Sequence, residues 1–371
     1  MKKKILFLIH DLGQGGAEKV LINLVNNMDN LVFDITVMTL FDSGENRQFI
    51  SPKIKYKTWC SKMIPGNSHL MKLLSPTQLH YMIIKEHYDI EVAYLEGPSA
   101  RIISGCNDPS VKLVSWIHTE LHTAKKAASS FRNIEEARKC YSKFNKIVCV
   151  SNTVKTDFVN ALQVDVPYEV LYNTNESENI KLASKETVTE TDIQSSEIKI
   201  IGVGKLLKNK GFDRILRIAK KLHDEKFPIH VYILGDGPEK STLQQFISEN
   251  KLEKQVTMLG YQLNPYKFIS QCDLFVCASH AEGFSTAATE ALILGVPVCT
   301  VEVSGMKEML GDKNEYGIIV KNTEQDLYLA IKQLICNKEL LSYYKKKAIE
   351  RGAFFDTDKT VRAVEEMLLA L

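Results

Sequence analysis

Leu274-Phe275-Val276-Cys277-Ala278, followed three residues later by Glu282-Gly283-Phe284-Ser285-Thr286-Ala287-Ala288-Thr289-Glu290-Ala291-Leu292, decides how this chain is read. The first five residues form a short, uniformly apolar run, the pattern of a strand buried on both faces. A glycine then breaks the pattern, and Ala287 to Leu294 reads as a short apolar helix. Strand, glycine turn and helix are how α/β proteins present backbone N–H groups to an anion. With the helix beginning near Ser285, Glu290 lies one to two turns in and Glu282 stays on the loop. The two carboxylates then flank the helix N-terminus instead of facing each other.

Outward from this segment, short apolar runs alternate with helical patterns along the whole chain, the signature of βαβ units and parallel sheets. Strands are expected at Lys4–Ile9, Phe33–Leu40, Ile90–Tyr94, Lys112–Trp116, Lys146–Val150 and Tyr168–Leu171, with a first helix at Ala17–Met28. Tyr172 to Glu197 is rich in Ser, Thr, Glu and Asn and reads as linker and surface loop. The pattern restarts at Ile198–Gly204 and continues through strands at Ile229–Leu234, Val256–Leu259, Leu274–Ala278, Val298–Thr300 and Gly317–Val320. Helices are expected at Asp213–Glu225, Pro238–Ser248, Pro265–Ser270, Thr286–Leu294, Glu324–Cys336 and Glu339–Arg351. The fold class is therefore α/β, with two doubly wound domains facing across a cleft, where ligands sit at the carboxyl ends of strands. The expected division is 1–175, a linker at 176–197, a second domain at 198–355 and a terminal helix at 356–371.

A length of 371 residues suits two domains, and 44% hydrophobic with 25% charged residues is the mix of a globular protein. A net charge of +2 gives no general case for nucleic acid. The charge is uneven, however: residues 51–150 carry 15 Lys/Arg against 8 Asp/Glu. A basic face toward an anionic bilayer and a merely solvated face both account for that surplus. Eight cysteines show no CxxC pair and no Cys/His metal spacing, which suits a reducing cytoplasm. The apolar run Ile5–Ile9 is too short for a signal peptide or a membrane span and reads as a first buried strand.

Three further loops carry chemistry. Gly204-Lys205-Leu206-Leu207-Lys208-Asn209-Lys210-Gly211 joins a strand to a helix. Lys205 and Lys210 on that loop can grip a diphosphate and neutralise charge that grows on it, although lysine-rich surface loops are common. Leu12-Gly13-Gln14-Gly15-Gly16-Ala17-Glu18 opens the first helix, so Gly15 and Gly16 allow close backbone approach to a ligand; a plain tight turn is the alternative. His118, ending the strand before it, is placed to meet a sugar hydroxyl, or else is a core-edge histidine. Asp356-Thr357-Asp358 looks like a DxD metal motif but stands at the start of the final helix, where capping is the simpler role. No metal site is predicted.

The pair Glu282 and Glu290, in the context Glu-Gly-Phe and with Lys210-Gly211 upstream, resembles glycosyltransferase family 4 (glycosyltransferase group 1), retaining enzymes with two Rossmann-like domains in the GT-B arrangement. The likeness is strongest from Ile198 to about Leu334 and thinner over the first 175 residues. It implies transfer of a sugar from a nucleotide diphospho-sugar to an acceptor hydroxyl, with no cofactor and no metal. On that implication Glu282, His118, Lys205 and Lys210 are catalytic, and Gly15, Gly16, Gly283, Phe284, Ser285 and Glu290 bind the donor. Glu290 would hold the ribose and Glu282 the sugar hydroxyls. The family pattern has arginine where this chain has Lys205, which keeps the charge and loses the bidentate geometry. The family also carries a proline near the asparagine of Val150-Ser151-Asn152, absent here.

Ile293-Leu294-Gly295-Val296-Pro297-Val298 and Ser304-Gly305-Met306-Lys307-Glu308 are similar to bacterial enzymes that build capsular and other surface polysaccharides. That likeness implies a lipid-linked saccharide acceptor and a cytoplasmic protein at the inner face of the membrane. Three rivals remain open: a non-catalytic GT-B partner subunit, a nucleotide-sugar epimerase, and a glycoside hydrolase, the last requiring two carboxyls across one bond.

Overall fold

A computed structural model describes residues 2–13, 15–62, 71–189 and 198–371. Residues 190–197 of the expected linker and Gln14 of the glycine loop lie outside the described residues. The chain divides into two compact units, Met1–Thr174 with Asp358–Leu371, and Asn175–Thr357.

The first unit is built on seven parallel strands in the order β3-β2-β1-β4-β5-β6-β7. These are β1 (Lys3–Ile9), β2 (Phe33–Phe41), β3 (Lys55–Cys60), β4 (Ile90–Ala93), β5 (Lys112–Ile117), β6 (Lys146–Cys149) and β7 (Tyr168–Val170). Ile5 through Ile9 are all completely buried, as expected of a central strand covered by helices on both faces. β3 was not anticipated. Its sequence, Lys-Tyr-Lys-Thr-Trp-Cys, is an edge strand with no continuous apolar run, because only one flank and one face need packing.

The second unit carries six parallel strands in the order β10-β9-β8-β11-β12-β13. They are β8 (Ile198–Val203), β9 (Ile229–Leu234), β10 (Val256–Gly260), β11 (Leu274–Cys277), β12 (Val298–Val301) and β13 (Ile318–Val320). The helix Phe212–Asp224 shows how sequence drives packing here. Phe212, Ile215, Leu216, Ala219 and Leu222 recur at three- and four-residue spacing and are all buried against the sheet. A helix at Ser177–Ala183 occupies part of the stretch read as linker, with Ile180 buried. Thr357 donates its hydroxyl to the Asn175 carbonyl at 2.8 Å and accepts from the Ser177 amide at 2.9 Å, so this middle residue of the DxD-like triplet is engaged with backbone. The terminal helix, Thr357–Leu369, buries Val361, Val364, Met367 and Leu368, and Asp29 N donates to Glu365 within the first unit.

Parallel strands place all their carboxyl ends on one edge, which is where the loops singled out from the sequence emerge. In the second unit β8 and β11 are direct neighbours, with Phe275 opposite Ile201. Their trailing loops, Gly204–Gly211 and Ala278–Ser285, are therefore brought side by side although about seventy residues separate them in the chain.

Candidate active site

The helix Thr286–Ile293 starts at Ser285, whose hydroxyl accepts from the Ala288 amide at 3.3 Å as an N-cap. Gly283, Phe284 and Ser285 are buried at this turn, and Phe284 meets Phe355 edge-on with ring centres 5.9 Å apart. Among the described residues the Gly283, Thr286 and Ala287 amides have no recorded acceptor, leaving donors at the helix N-terminus. Glu290 sits one turn in and is buried, with the Tyr266 hydroxyl donating toward Oε1 at 3.4 Å. Glu282 precedes the helix, its side chain 8% exposed.

Lys210 closes on Glu282. Its Nζ lies 2.8 Å from both carboxylate oxygens, and the Ser279 hydroxyl donates to Oε1 at 2.6 Å. A buried carboxylate requires such partners, since leaving it bare costs several kcal/mol. Backbone contacts lock the two loops together. His280 N donates to Asn209 O at 2.7 Å. Gly211 adopts φ +68°, and a Cβ there would stand 2.1 Å from Ala278 O, so only glycine lets the lysine loop approach the end of β11. The Lys205 side chain is exposed and has no polar partner among the described residues. The structure thus brings Lys210, Glu282 and the Phe284 turn together, while Lys205 stands free at the start of the same loop.

Gly235 and Gly237 pack against the same loop, with Cβ positions 1.9 Å from Gly204 O and 2.5 Å from Leu206 O, as befits a structural turn. Three residues that matter here were missed from the sequence: Ser279, Arg214 and Asn322. Arg214, 6% exposed, donates through Nη1 to Ala278 O at 3.0 Å and to Asn322 Oδ1 at 2.7 Å, and through Nη2 to Asn322 O at 3.1 Å. A charged residue four positions before Ile218, on the buried stripe of a helix, was the available signal.

In the first unit, Gly15 is the N-cap of the helix Gly16–Asn27, and a Cβ there would collide with the Glu18 carboxylate at 2.0 Å. His118 follows β5 and is 7% exposed, packed on Tyr94 with ring centres 4.9 Å apart. Burial pushes its pKa down to about 3, partly offset by a hydrogen bond to the Tyr94 backbone, so the imidazole is neutral at neutral pH. Nε2 has no partner. Glu96, three residues beyond β4, accepts from His118 N at 3.0 Å and from the Thr119 hydroxyl at 2.5 Å, which fixes the loop carrying the histidine.

Two parallel-sheet Rossmann-like units, with a carboxylate, a lysine and a helix N-terminus gathered at the strand ends of the second, define the GT-B class of glycosyltransferases. Comparisons agree. The family model for glycosyl transferases group 1 matches residues 184–351, and that for glycosyltransferase family 4 matches residues 14–174. The chain is 29% identical over 398 aligned positions to N-acetylgalactosamine-N,N'-diacetylbacillosaminyl-diphospho-undecaprenol 4-alpha-N-acetylgalactosaminyltransferase of Campylobacter jejuni, covering 99% of this chain and 100% of that one. Among solved structures, Anabaena HepE in complex with UDP aligns over 100% of both chains with TM-score 0.76 and 18% identity. A glycosyltransferase from Rickettsia africae aligns over 99% of this chain and 97% of its own with TM-score 0.78 and 15% identity. The chain belongs to glycosyltransferase family 4, group 1, and is a glycosyltransferase.

Proposed function

We propose that this protein transfers a sugar, with retention of configuration and without a metal, from a nucleotide diphospho-sugar to a hydroxyl of a lipid-linked saccharide in bacterial surface polysaccharide synthesis. The observation that carries this reading is the contact between Lys210 and Glu282 beside the N-terminus of the helix Thr286–Ile293. A cation, free amides and a carboxylate at one place suit a diphosphate ester of a sugar: the first two bind phosphate, and the third accepts from sugar hydroxyls.

In this reading Lys210 and Lys205 stabilise the departing diphosphate together with amides of Gly283, Phe284 and Ser285. Glu282 holds the sugar and Glu290 the ribose. Within the first unit, His118, neutral because it is buried, and Gly15 and Gly16 are that unit's own candidates for ligand contact. The acceptor hydroxyl attacks the anomeric carbon from the face that the phosphate leaves, and the leaving phosphate helps take the hydroxyl proton. The two lysines and the helix amides take the role a cation would otherwise fill. Among the described residues, two clusters could ligate a metal, His80/Glu91/Cys106 and Glu120/His122/Asp157, and neither contains a residue of the donor site.

The acceptor class is supported by the Campylobacter relative, named as a transferase acting on a diphospho-undecaprenol-linked saccharide. No helix among the described residues is long and apolar enough to cross a membrane. We place the protein in the cytoplasm, reaching its acceptor from the inner face of the membrane, where the basic surplus of residues 51–150 would favour anionic lipid. The test is a thermal-shift screen over UDP-, GDP-, ADP- and dTDP-sugars, followed by transfer from the best binder to an undecaprenyl diphosphate-linked saccharide. Bound donor raises the melting temperature by mass action. Absence of any stabilisation would favour a non-catalytic partner subunit, and isomerised free nucleotide sugar would indicate an epimerase.

A further inference from the structure

Glu282 has two close restraints of different kinds, with the Cys277 thiol a more distant donor to Oε1 at 4.0 Å. Lys210 Nζ, 29% exposed along its side chain, bonds both oxygens at 2.8 Å. Ser279, 2% exposed, donates its hydroxyl to Oε1 at 2.6 Å. In the function proposed above, Lys210 is claimed by the donor diphosphate. An ammonium on a flexible stem can turn from a carboxylate to a phosphate, whereas the buried serine hydroxyl, one bond from Cβ, has a much shorter reach. Glu282 then needs a fixed partner at the moment when its direction matters most.

We propose that Ser279 is the positioning residue of the donor site: it keeps the Glu282 carboxylate aimed at the sugar once Lys210 moves to the diphosphate. The assignment rests on the reading of Glu282 as the sugar-holding group. An ionised carboxylate only accepts, so the Ser279 proton is committed to Oε1, and Oε2 keeps its free capacity for a sugar hydroxyl. Behind Ser279 the structure is hydrogen-bonded. Cys277 Sγ donates to Ser279 Oγ at 3.5 Å, giving a chain from thiol to hydroxyl to carboxylate along residues 277, 279 and 282. Burial and the neighbouring Glu282 charge raise the Cys277 pKa, so the thiol keeps its proton and remains a donor. Asn322 Nδ2 donates to Ser279 O at 3.4 Å, and Arg214 holds both Ala278 O and Asn322.

The experiment compares wild type, Ser279→Ala and Ser279→Thr for binding and turnover of a sugar nucleotide and for binding of its sugar-free diphosphate. UDP-N-acetylgalactosamine and UDP are the first probe pair, replaced by the best binder of the screen and its diphosphate if another base is preferred. A charge-assisted hydrogen bond contributes enough that Ser279→Ala should weaken sugar-nucleotide binding and kcat by about tenfold or more, while diphosphate affinity stays within about twofold. Ser279→Thr, which keeps the hydroxyl, should restore most of the loss. Equal loss for both ligands would mean a general collapse of the site, and unchanged sugar-nucleotide binding and kcat would mean Glu282 needs no such support; either overturns the role. If wild type binds diphosphate but gains nothing from the attached sugar, the reading of Glu282 itself fails, a result distinct from a silent serine.

Discussion

Lys210 Nζ and the Glu282 carboxylate meet at 2.8 Å although about seventy residues lie between them, because β8 and β11 are neighbours and their trailing loops are pinned at Gly211 and Ala278. The group expected to bind phosphate and the group expected to bind sugar neutralise each other. Several consequences can be measured.

Lys210→Ala removes a cation from the diphosphate and leaves Glu282 with the Ser279 hydroxyl at 2.6 Å and the more distant Cys277 thiol at 4.0 Å. Loss of a preorganised donor of this kind costs about 100-fold to 1000-fold in kcat. The orphaned carboxylate should also lower stability by about 1–3 kcal/mol, seen as a lower urea midpoint. The double variant Lys210→Ala/Glu282→Gln should recover part of that stability but none of the activity, since the two residues share one interaction.

Arg214→Met keeps the aliphatic stem but withdraws the donors to Ala278 O, Asn322 O and Asn322 Oδ1. We expect a stability loss of about 2–4 kcal/mol. Arg214→Lys should recover little, because an ammonium cannot span the forked set of acceptors. A wild-type midpoint for either variant would show that the bracket is dispensable.

The elements that form the site were legible to different degrees. β8, which runs into Gly204, and β11 stand out as apolar runs, and the helix Thr286–Ile293 starts where Ser285 invites a cap. β3 escaped notice because an edge strand reading Lys-Tyr-Lys-Thr-Trp-Cys has no apolar run to detect. The helix Ser177–Ala183 hid in a polar stretch, as Ile180 is the one large apolar side chain it buries. Ser279 was invisible for another reason: at the end of a strand its hydroxyl has meaning only once Glu282 folds back to 2.6 Å from it. The Lys210–Glu282 pairing depends on strand order, which the alternation of strands and helices leaves open.

His118 yields a pH signature. Its folded pKa, down at about 3, lies below the ordinary value of 6.5, so the unfolded chain binds more protons between those values. Stability from this residue is therefore fully present above about pH 6.5 and declines as pH falls toward 3. At pH 5 the loss relative to neutral pH is about 2 kcal/mol, at roughly 1.4 kcal/mol per pH unit. Urea unfolding at pH 5 and 7.5 should show this extra loss in wild type and not in His118→Phe.

Metal independence is tested directly. Transfer measured with excess EDTA should match transfer with added Mg²⁺, since lysines and helix amides carry the phosphate charge in the proposed mechanism. Loss of activity in EDTA with recovery on adding a divalent ion would contradict it.

The central claim is that a donor's diphosphate rests against Lys210 at the N-terminus of the helix Thr286–Ile293. Calorimetric titration of UDP, or of the diphosphate preferred in the screen, into wild type and Lys210→Ala tests it most directly. The account predicts clear binding to wild type and an affinity at least about tenfold weaker in the variant, consistent with one lost charge-assisted contact. Equal binding by the two proteins would contradict it.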